Sequence, residues 1–199
     1  MIVTVASMKG GVGKTTTAVH LAAFFAEHGA TLLVDGDLNR SSLSWARRGP
    51  EFDFSACDMT AAAKESRGKD HIIIDTGANP DRATLKELAA GCDFLVIPTT
   101  PTSLSMEGLM STISALQELK SFGVVLTMTD SRRQGTTTAA RERLESFGIP
   151  VLNQTIRRLA CHEAAPNDGV LVRDVKDRMA AIAWDEYRTL GSEILSHAE

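Results

Sequence analysis

The 199-residue sequence predicts an α/β fold, a doubly wound and mostly parallel sheet flanked by helices, in a single domain over residues 1–199. Three observations carry that prediction. Five short apolar runs recur, at 2–6, 31–34, 72–74, 94–97 and 124–128, and they are continuous rather than alternating. A strand covered by helices on both faces reads that way. Stretches of helical periodicity separate the runs, as in Val19-His20-Leu21-Ala22-Ala23-Phe24-Phe25, and crossovers of that kind join parallel strands. A glycine-rich loop links the first run to this first helix, and no linker divides the chain.

The first element, Ile2-Val3-Thr4-Val5-Ala6, enters the loop Lys9-Gly10-Gly11-Val12-Gly13-Lys14-Thr15-Thr16. Gly10, Gly11 and Gly13 lack Cβ, so the backbone can take positive φ and turn its N–H groups inward around an anion. Those donors run into a helix N-terminus, which itself attracts negative charge. In such a loop Lys14 contacts the β- and γ-phosphates, the Thr15 hydroxyl ligates Mg²⁺, and Thr16 reaches the α-phosphate. A strict Gly-x-x-x-x-Gly-Lys-Thr box would need glycine at position 8, which is Met8.

That departure, with a second lysine ahead of the glycines, resembles the deviant Walker A box of the ParA/MinD family of P-loop ATPases. The resemblance implies ATP and Mg²⁺ as ligands. It also implies a role for Lys9 that the loop chemistry leaves open: reaching across a homodimer interface to the partner's nucleotide in an ATP sandwich. Lys9, Lys14 and Asp37 are the catalytic candidates on this basis.

The second run ends Leu32-Leu33-Val34-Asp35-Gly36-Asp37-Leu38-Asn39, and the third reads His71-Ile72-Ile73-Ile74-Asp75-Thr76-Gly77. An aspartate at the end of such a strand suits a water-mediated hold on Mg²⁺, although strand-terminal Asp also caps following helices. The first segment resembles the family's Walker A′ stretch, with Leu38-Asn39 in place of Pro-Gln, and the second its Walker B strand. The resemblance places Asp35 and Asp75 near the metal with Thr15, and has Asp37 orient the attacking water. Phosphoryl transfer asks mainly for positioning and charge neutralisation, which these residues supply. The turn Gly77-Ala78-Asn79-Pro80 departs from the family's pattern.

The fourth run continues as Pro98-Thr99-Thr100-Pro101-Thr102-Ser103-Leu104, resembling a family loop that lies at the dimer interface, with Ser105 where relatives often carry Asp. The fifth closes on Thr127-Met128-Thr129-Asp130, which makes Thr129 and Asp130 adenine-contact candidates by resemblance; turn chemistry accounts for Asp130 equally well. Phe52-Asp53-Phe54 and Pro150-Val151-Leu152 read as two further short strands. A closing helix over 176–195 places Met179, Ile182, Ala183, Tyr187, Leu190 and Ile194 on one face, suited to packing on the core. It ends Ser196-His197-Ala198-Glu199 and lacks the basic face by which membrane-associated MinD relatives attach, so no membrane partner is expected.

No apolar run approaches the ~18 residues of a membrane span, and the N-terminus enters a strand at once, so a cytoplasmic location is expected. Cys57, Cys92 and Cys161 are odd in number and far apart, which suggests neither a disulfide framework nor a zinc site. The net charge is −4, but residues 132–178 carry nine basic and six acidic side chains, a local +3. Small ParA relatives bind DNA non-specifically as ATP dimers through scattered basic residues. Arg132, Arg133, Arg157, Arg158, Arg173, Lys176 and Arg178 are the candidates here, unless they pair with neighbours such as Glu163, Asp174 and Asp177. The resemblance thus implies a nucleoid-associated ATPase whose cargo is a plasmid or chromosome through a ParB-like partner, or a protein organelle such as the carboxysome through an adaptor. Two alternatives are an assembly or metal-cluster transfer factor, which would need a Cys-x-x-Cys that the three cysteines do not provide, and a P-loop kinase for a small metabolite.

Overall fold

A computed structural model describes residues 1–7, 9–77, 80–116 and 121–197. Six parallel strands form one sheet in the order β3-β2-β4-β1-β5-β6. They are β1 (Ile2–Val5), β2 (Thr31–Gly36), β3 (Ser55–Asp58), β4 (His71–Thr76), β5 (Phe94–Thr99) and β6 (Phe122–Leu126). The helices are α1 (Lys14–Ala26), α2 (Ser41–Ala46), α3 (Ala62–Glu65), α4 (Arg82–Ala90), α5 (Ser103–Leu116), α6 (Gln134–Ser146), α7 (Cys161–Asp168) and α8 (Ala180–Ser196), with 3₁₀ turns at Ser131–Arg133 and Val172–Asp174. The doubly wound α/β class read from the sequence is the one observed.

Alternate strand residues face opposite layers, which is why the apolar runs are unbroken. Val3, Val5, Leu33, Ile73, Val96 and Val125 meet α1, α7 and α8 in one core. Leu95, Ile97, Val124 and Leu126 meet α4, α5 and α6 in the other, while Leu32 and Val34 pack with Cys57 near the β3 edge. Helices α1 and α8 approach so closely that a Cβ on Gly191 would lie 2.2 Å from the Phe24 ring.

Three sequence expectations are corrected. Phe52-Asp53-Phe54 is not a strand: the Phe52 and Phe54 rings stack at 5.0 Å and Phe54 enters the core, and the edge strand begins one residue later at Ser55. Val151 makes a single parallel bridge to Val124 and does not extend into a strand. The last helix starts at Ala180, with Met179 as its N-cap, and Ile182 is exposed beside the buried stripe Ala183, Tyr187, Leu190 and Ile194.

Strand β1 is where the winding reverses: the chain leaves it toward β2 on one side and later crosses to β5 on the other. The carboxyl ends of strands at such a point form a crevice that takes ligands.

Candidate functional site

The loop between β1 and α1 stands in that crevice. Gly11 and Gly13 have φ of 74° and 86°, a left-handed conformation that a side chain would strain. A Cβ built on Gly10, Gly11 or Gly13 would meet nothing within 4 Å, so the space before the loop is open. Gly13 is the N-cap of α1, and its carbonyl accepts the first helical bond from the Thr17 amide at 2.8 Å. The free amides at this helix start have no side-chain cap, which leaves them for an incoming anion.

Asp35 and Asp75 lie side by side in register on β2 and β4, and Asp75 is also level with Val5 of β1. They are treated differently by their surroundings. The carboxylate of Asp35 accepts the Asp37 amide at 3.0 Å on one oxygen and the Leu43 amide at 2.9 Å on the other, tying the Asp-x-Asp turn to the start of α2. Asp75 is wholly buried, and among the described residues neither of its oxygens has a hydrogen-bond partner. Burial pushes its carboxyl up to about 7, opposed by the nearby Thr15 hydroxyl, reinforced by Asp35 and opposed again by Lys14 and Ser42. The Thr15 and Ser42 hydroxyls influence it without completing a hydrogen bond in this geometry. A buried carboxylate left open beside a threonine hydroxyl is the donor set a hard divalent cation takes, so Thr15 and Asp75 fit Mg²⁺. Asp35 has both oxygens already on backbone amides.

Asp37 is half-buried at the carboxyl end of β2, and its side chain accepts the Asn39 amide at 2.9 Å. Lys14 is buried at the start of α1. Lys9 points elsewhere: its ammonium donates to Ser105 Oγ at 3.2 Å, and Ser105 in turn contacts the hydroxyls of Thr100 (2.7 Å) and Thr102 (3.0 Å). Ala78 and Asn79, in the turn after β4, lie outside the described residues.

Among the described residues, two large cavities adjoin the loop. One, of about 580 Å³, is lined by Gly11, Gly13 and Thr16 together with Ile156, Leu159, His162 and Tyr187. Its apolar wall next to the glycines suits a purine ring. The other, of about 730 Å³, is lined by Lys9, Thr100, Arg132, Arg133, Thr136 and Arg158, among others. Met128 borders both. Thr129 lies on neither: it is buried, with its amide and hydroxyl turned to the Ile156 carbonyl. Asp130 lines the Lys9 cavity and accepts the Arg132 amide and guanidinium, the amide foremost in holding its carboxyl below the usual range.

The basic residues separate into two kinds. Arg157 donates to the largely buried Glu186 through backbone and side chain, and Arg173 bonds Glu27 at 3.0 Å and Asp53 at 3.2 Å while lying over the Trp184 ring. Arg158 makes a loose, exposed pair with Glu163 at 3.6 Å. Arg132, Arg133, Lys176 and Arg178 are exposed, and among the described residues Arg132 pairs with Asp130. The three cysteines belong to separate parts of the core: Cys57 with Leu32 and Val34, Cys92 beside the α4–α6 layer, and Cys161 in the α1–α8 layer.

The sequence reading missed Ser42, the cavity wall at 156–162 with Tyr187, and the Lys9–Ser105 contact. Only Ser42 left a local trace, as a serine five residues after the Asp-x-Asp turn. The others come from segments far apart in the chain.

An open glycine loop at a helix start, a buried lysine and an unpartnered strand-end aspartate define a P-loop nucleotide-binding protein. The chain belongs to the family of CobQ/CobB/MinD/ParA nucleotide-binding domains, whose model matches residues 3–172. It is 34% identical to the maintenance of carboxysome distribution protein A of Gloeobacter kilaueensis, over 97% of this chain and 93% of the relative. It is 24% identical to the chromosome-partitioning ATPase Soj of Thermus thermophilus, over 99% and 96%. The crystal structure of a plasmid partition protein of Borrelia burgdorferi bound to AMPPNP has the same fold, with a TM-score of 0.74 at 20% identity and 98% of both chains covered. Relatives of about this size are therefore carboxysome-positioning and partition ATPases. No helix among the described residues is long and apolar enough to cross a membrane.

Proposed function

We propose that the protein is an ATPase that binds ATP with Mg²⁺, dimerises around two nucleotides, coats nucleoid DNA without sequence preference, and is released when a partner stimulates hydrolysis. The observation that carries this reading is the divergence of the two lysines. Lys14 is buried at the P-loop helix beside Asp75, whereas Lys9 turns to Ser105 and lines the neighbouring cavity. A lysine that leaves its own phosphate loop is available to a second copy's nucleotide, which supports a sandwich dimer.

In this reading the loop amides and Lys14 hold the phosphates, the purine lies against Ile156 and Tyr187, and Thr15 and Asp75 hold Mg²⁺. The metal supplies charge neutralisation at the phosphate oxygens. Asp37, half-buried at the mouth, orients the water. Among the basic residues, Arg132, Arg133, Lys176 and Arg178 are the better DNA candidates, because Arg157 and Arg173 are engaged within the chain. The cargo is a carboxysome through an adaptor or a replicon through a ParB-like partner; the relatives' names support both.

The test is fluorescence anisotropy on random-sequence duplex DNA at fixed moderate salt with no nucleotide, Mg·ADP or Mg·ATP, alongside light scattering for dimer formation. Binding and dimerisation only with ATP are expected. ATP-dependent dimers that ignore DNA in every state would keep the ATPase and remove the nucleoid.

A further inference from the structure

We propose that Thr127 is a positioning residue for the nucleotide: through its hydroxyl and the Val12 carbonyl it holds the P-loop in the shape that receives phosphates. The proposal rests on the nucleotide-binding reading of that loop.

Thr127 is the first residue beyond β6 and is 3% exposed. Its Oγ1 lies 2.8 Å from the Val12 carbonyl and 3.1 Å from that of Thr99, while its amide also donates to Thr99 at 2.8 Å. A hydroxyl has one proton to give. With the amide already on Thr99, the hydroxyl proton goes to Val12, the shorter contact. The bond therefore joins the phosphate loop to a strand 115 residues away in sequence.

Its effect follows from peptide geometry. In a trans peptide the carbonyl and the next N–H point in opposite directions, so anchoring the Val12 carbonyl toward β6 aims the Gly13 N–H away from it. That orientation is not intrinsic to the loop. Three glycines in four positions have many accessible conformations, and the left-handed φ of Gly11 and Gly13 is one choice among them. A tether that removes the alternatives lowers the ordering cost of binding.

The anchor itself is rigid. Met128 follows with a φ of 53°, unusual for a side chain of this size, and persists there because the chain is pinned on both sides. On one side Thr127 is bonded to Thr99 and Val12, and on the other the Thr129 amide donates to Ile156 at 3.1 Å. The β6 corner cannot swing without breaking these bonds.

Affinity for fluorescently labelled Mg·ATP and Mg·ADP, and the melting temperature of the ligand-free chain, are to be measured for the wild type, Thr127→Val and Thr127→Ser. Valine keeps the shape and removes the proton. We expect Thr127→Val to bind both nucleotides about tenfold more weakly, the size of one buried hydrogen bond. Its melting temperature should stay within a few degrees, and Thr127→Ser should recover affinity to within about twofold. If the valine variant does not fold, Thr127→Cys, with a thiol as the weaker donor, is expected to show the same direction of loss. Unimpaired binding by a folded variant without the hydroxyl, or a serine variant as weak as the valine one, overturns the proposal alone. A wild-type chain that binds neither nucleotide overturns the reading beneath it as well.

Discussion

His20 and Asp75 are both wholly buried ionisable side chains, one in the middle of α1 and the other beside its first turn, and their surroundings treat them in opposite ways. His20 has every polar atom matched: Nδ1–H donates to the Thr16 carbonyl at 2.7 Å and Nε2 accepts the Val172 amide at 3.0 Å, which sets the tautomer. Its ring stacks on Tyr187 at 4.5 Å and meets the edge of Trp45 at 5.6 Å. Burial above all holds its pKa down near 3, with the Thr16 carbonyl opposing and the His162 and Arg173 charges adding to the drop. Asp75, by contrast, has two oxygens without a partner among the described residues and a carboxyl pushed up to about 7 by burial. A buried polar group that is fully matched belongs to the fold, while an unmatched carboxylate at the mouth of a nucleotide site costs stability and suits a ligand.

The largest expected effect lies on the open side. Lys14→Ala should weaken ATP binding by at least ~100-fold, because the loop then has no ammonium to pair with the β- and γ-phosphates. The ligand-free chain should melt no lower than the wild type, since the substitution removes a buried ammonium. Calorimetric titration and a thermal melt read the two quantities. Retained affinity would break the assignment of the open groups to a ligand.

On the matched side the balance reverses. His20→Ala leaves the Val172 amide unpaired, takes the side-chain donor from the Thr16 carbonyl and opens a cavity under Tyr187, at a cost of ~3 kcal/mol. For a chain of this length that lowers the melting temperature by roughly 6–12 °C. ATP affinity of the folded protein should change by less than about threefold, an amount below ~0.7 kcal/mol. An intact melt with lost binding would place His20 among the ligand contacts instead.

Titration sharpens the same contrast, because the two groups pull stability in opposite directions. Asp75 has a folded pKa above its unfolded value of 3.8, so its contribution is present at low pH and is lost as pH rises through about 7. His20 is depressed from 6.5 to about 3, so its contribution is present above 6.5 and is lost as pH falls toward 3. Asp75→Asn should raise the stability of the metal-free chain at pH 8 by on the order of 2 kcal/mol, with a smaller gain at pH 5. Melting curves across pH 5–8 check it; a gain independent of pH would show that Asp75 is ionised without penalty.

The contrast also explains what could be read in the sequence. Strands β1, β2, β4, β5 and β6 were legible because burial on both faces leaves unbroken apolar runs. The edge strand Ser55–Asp58 has one neighbour and two polar residues in four, so hydropathy pointed instead to Phe52 and Phe54, whose rings serve the core. The phosphate loop was legible because its chemistry is local: glycines, lysine and threonine are consecutive. The state of Asp35 was not, since two backbone amides rather than a metal explain its position equally well. Nor could the sequence separate committed arginines from free ones, because Arg157 finds Glu186 across 29 positions and Arg173 finds Glu27 across 146.

Those arginines carry the smallest expected effect. If matched side chains serve the fold and open ones serve ligands, DNA contacts belong to Arg132 and Arg133 rather than to Arg157 and Arg173. Arg132 is 89% exposed and, among the described residues, bound to Asp130 two positions before it, an exposed pair of a kind worth less than ~1 kcal/mol and readily exchanged for a phosphate. Arg132→Ala with Arg133→Ala should weaken binding of the ATP-loaded protein to random duplex DNA several-fold at moderate salt. The log-log salt slope should become shallower by about 2, one for each phosphate that is no longer neutralised. Arg157→Ala removes the partner of a buried Glu186, so its effect should appear in the melting temperature, with the slope of the folded protein unchanged. A slope that responds to Arg157 and not to Arg132 and Arg133 would mean that the pair opens in the dimer, and that an ion pair in the free chain can be a stored DNA contact.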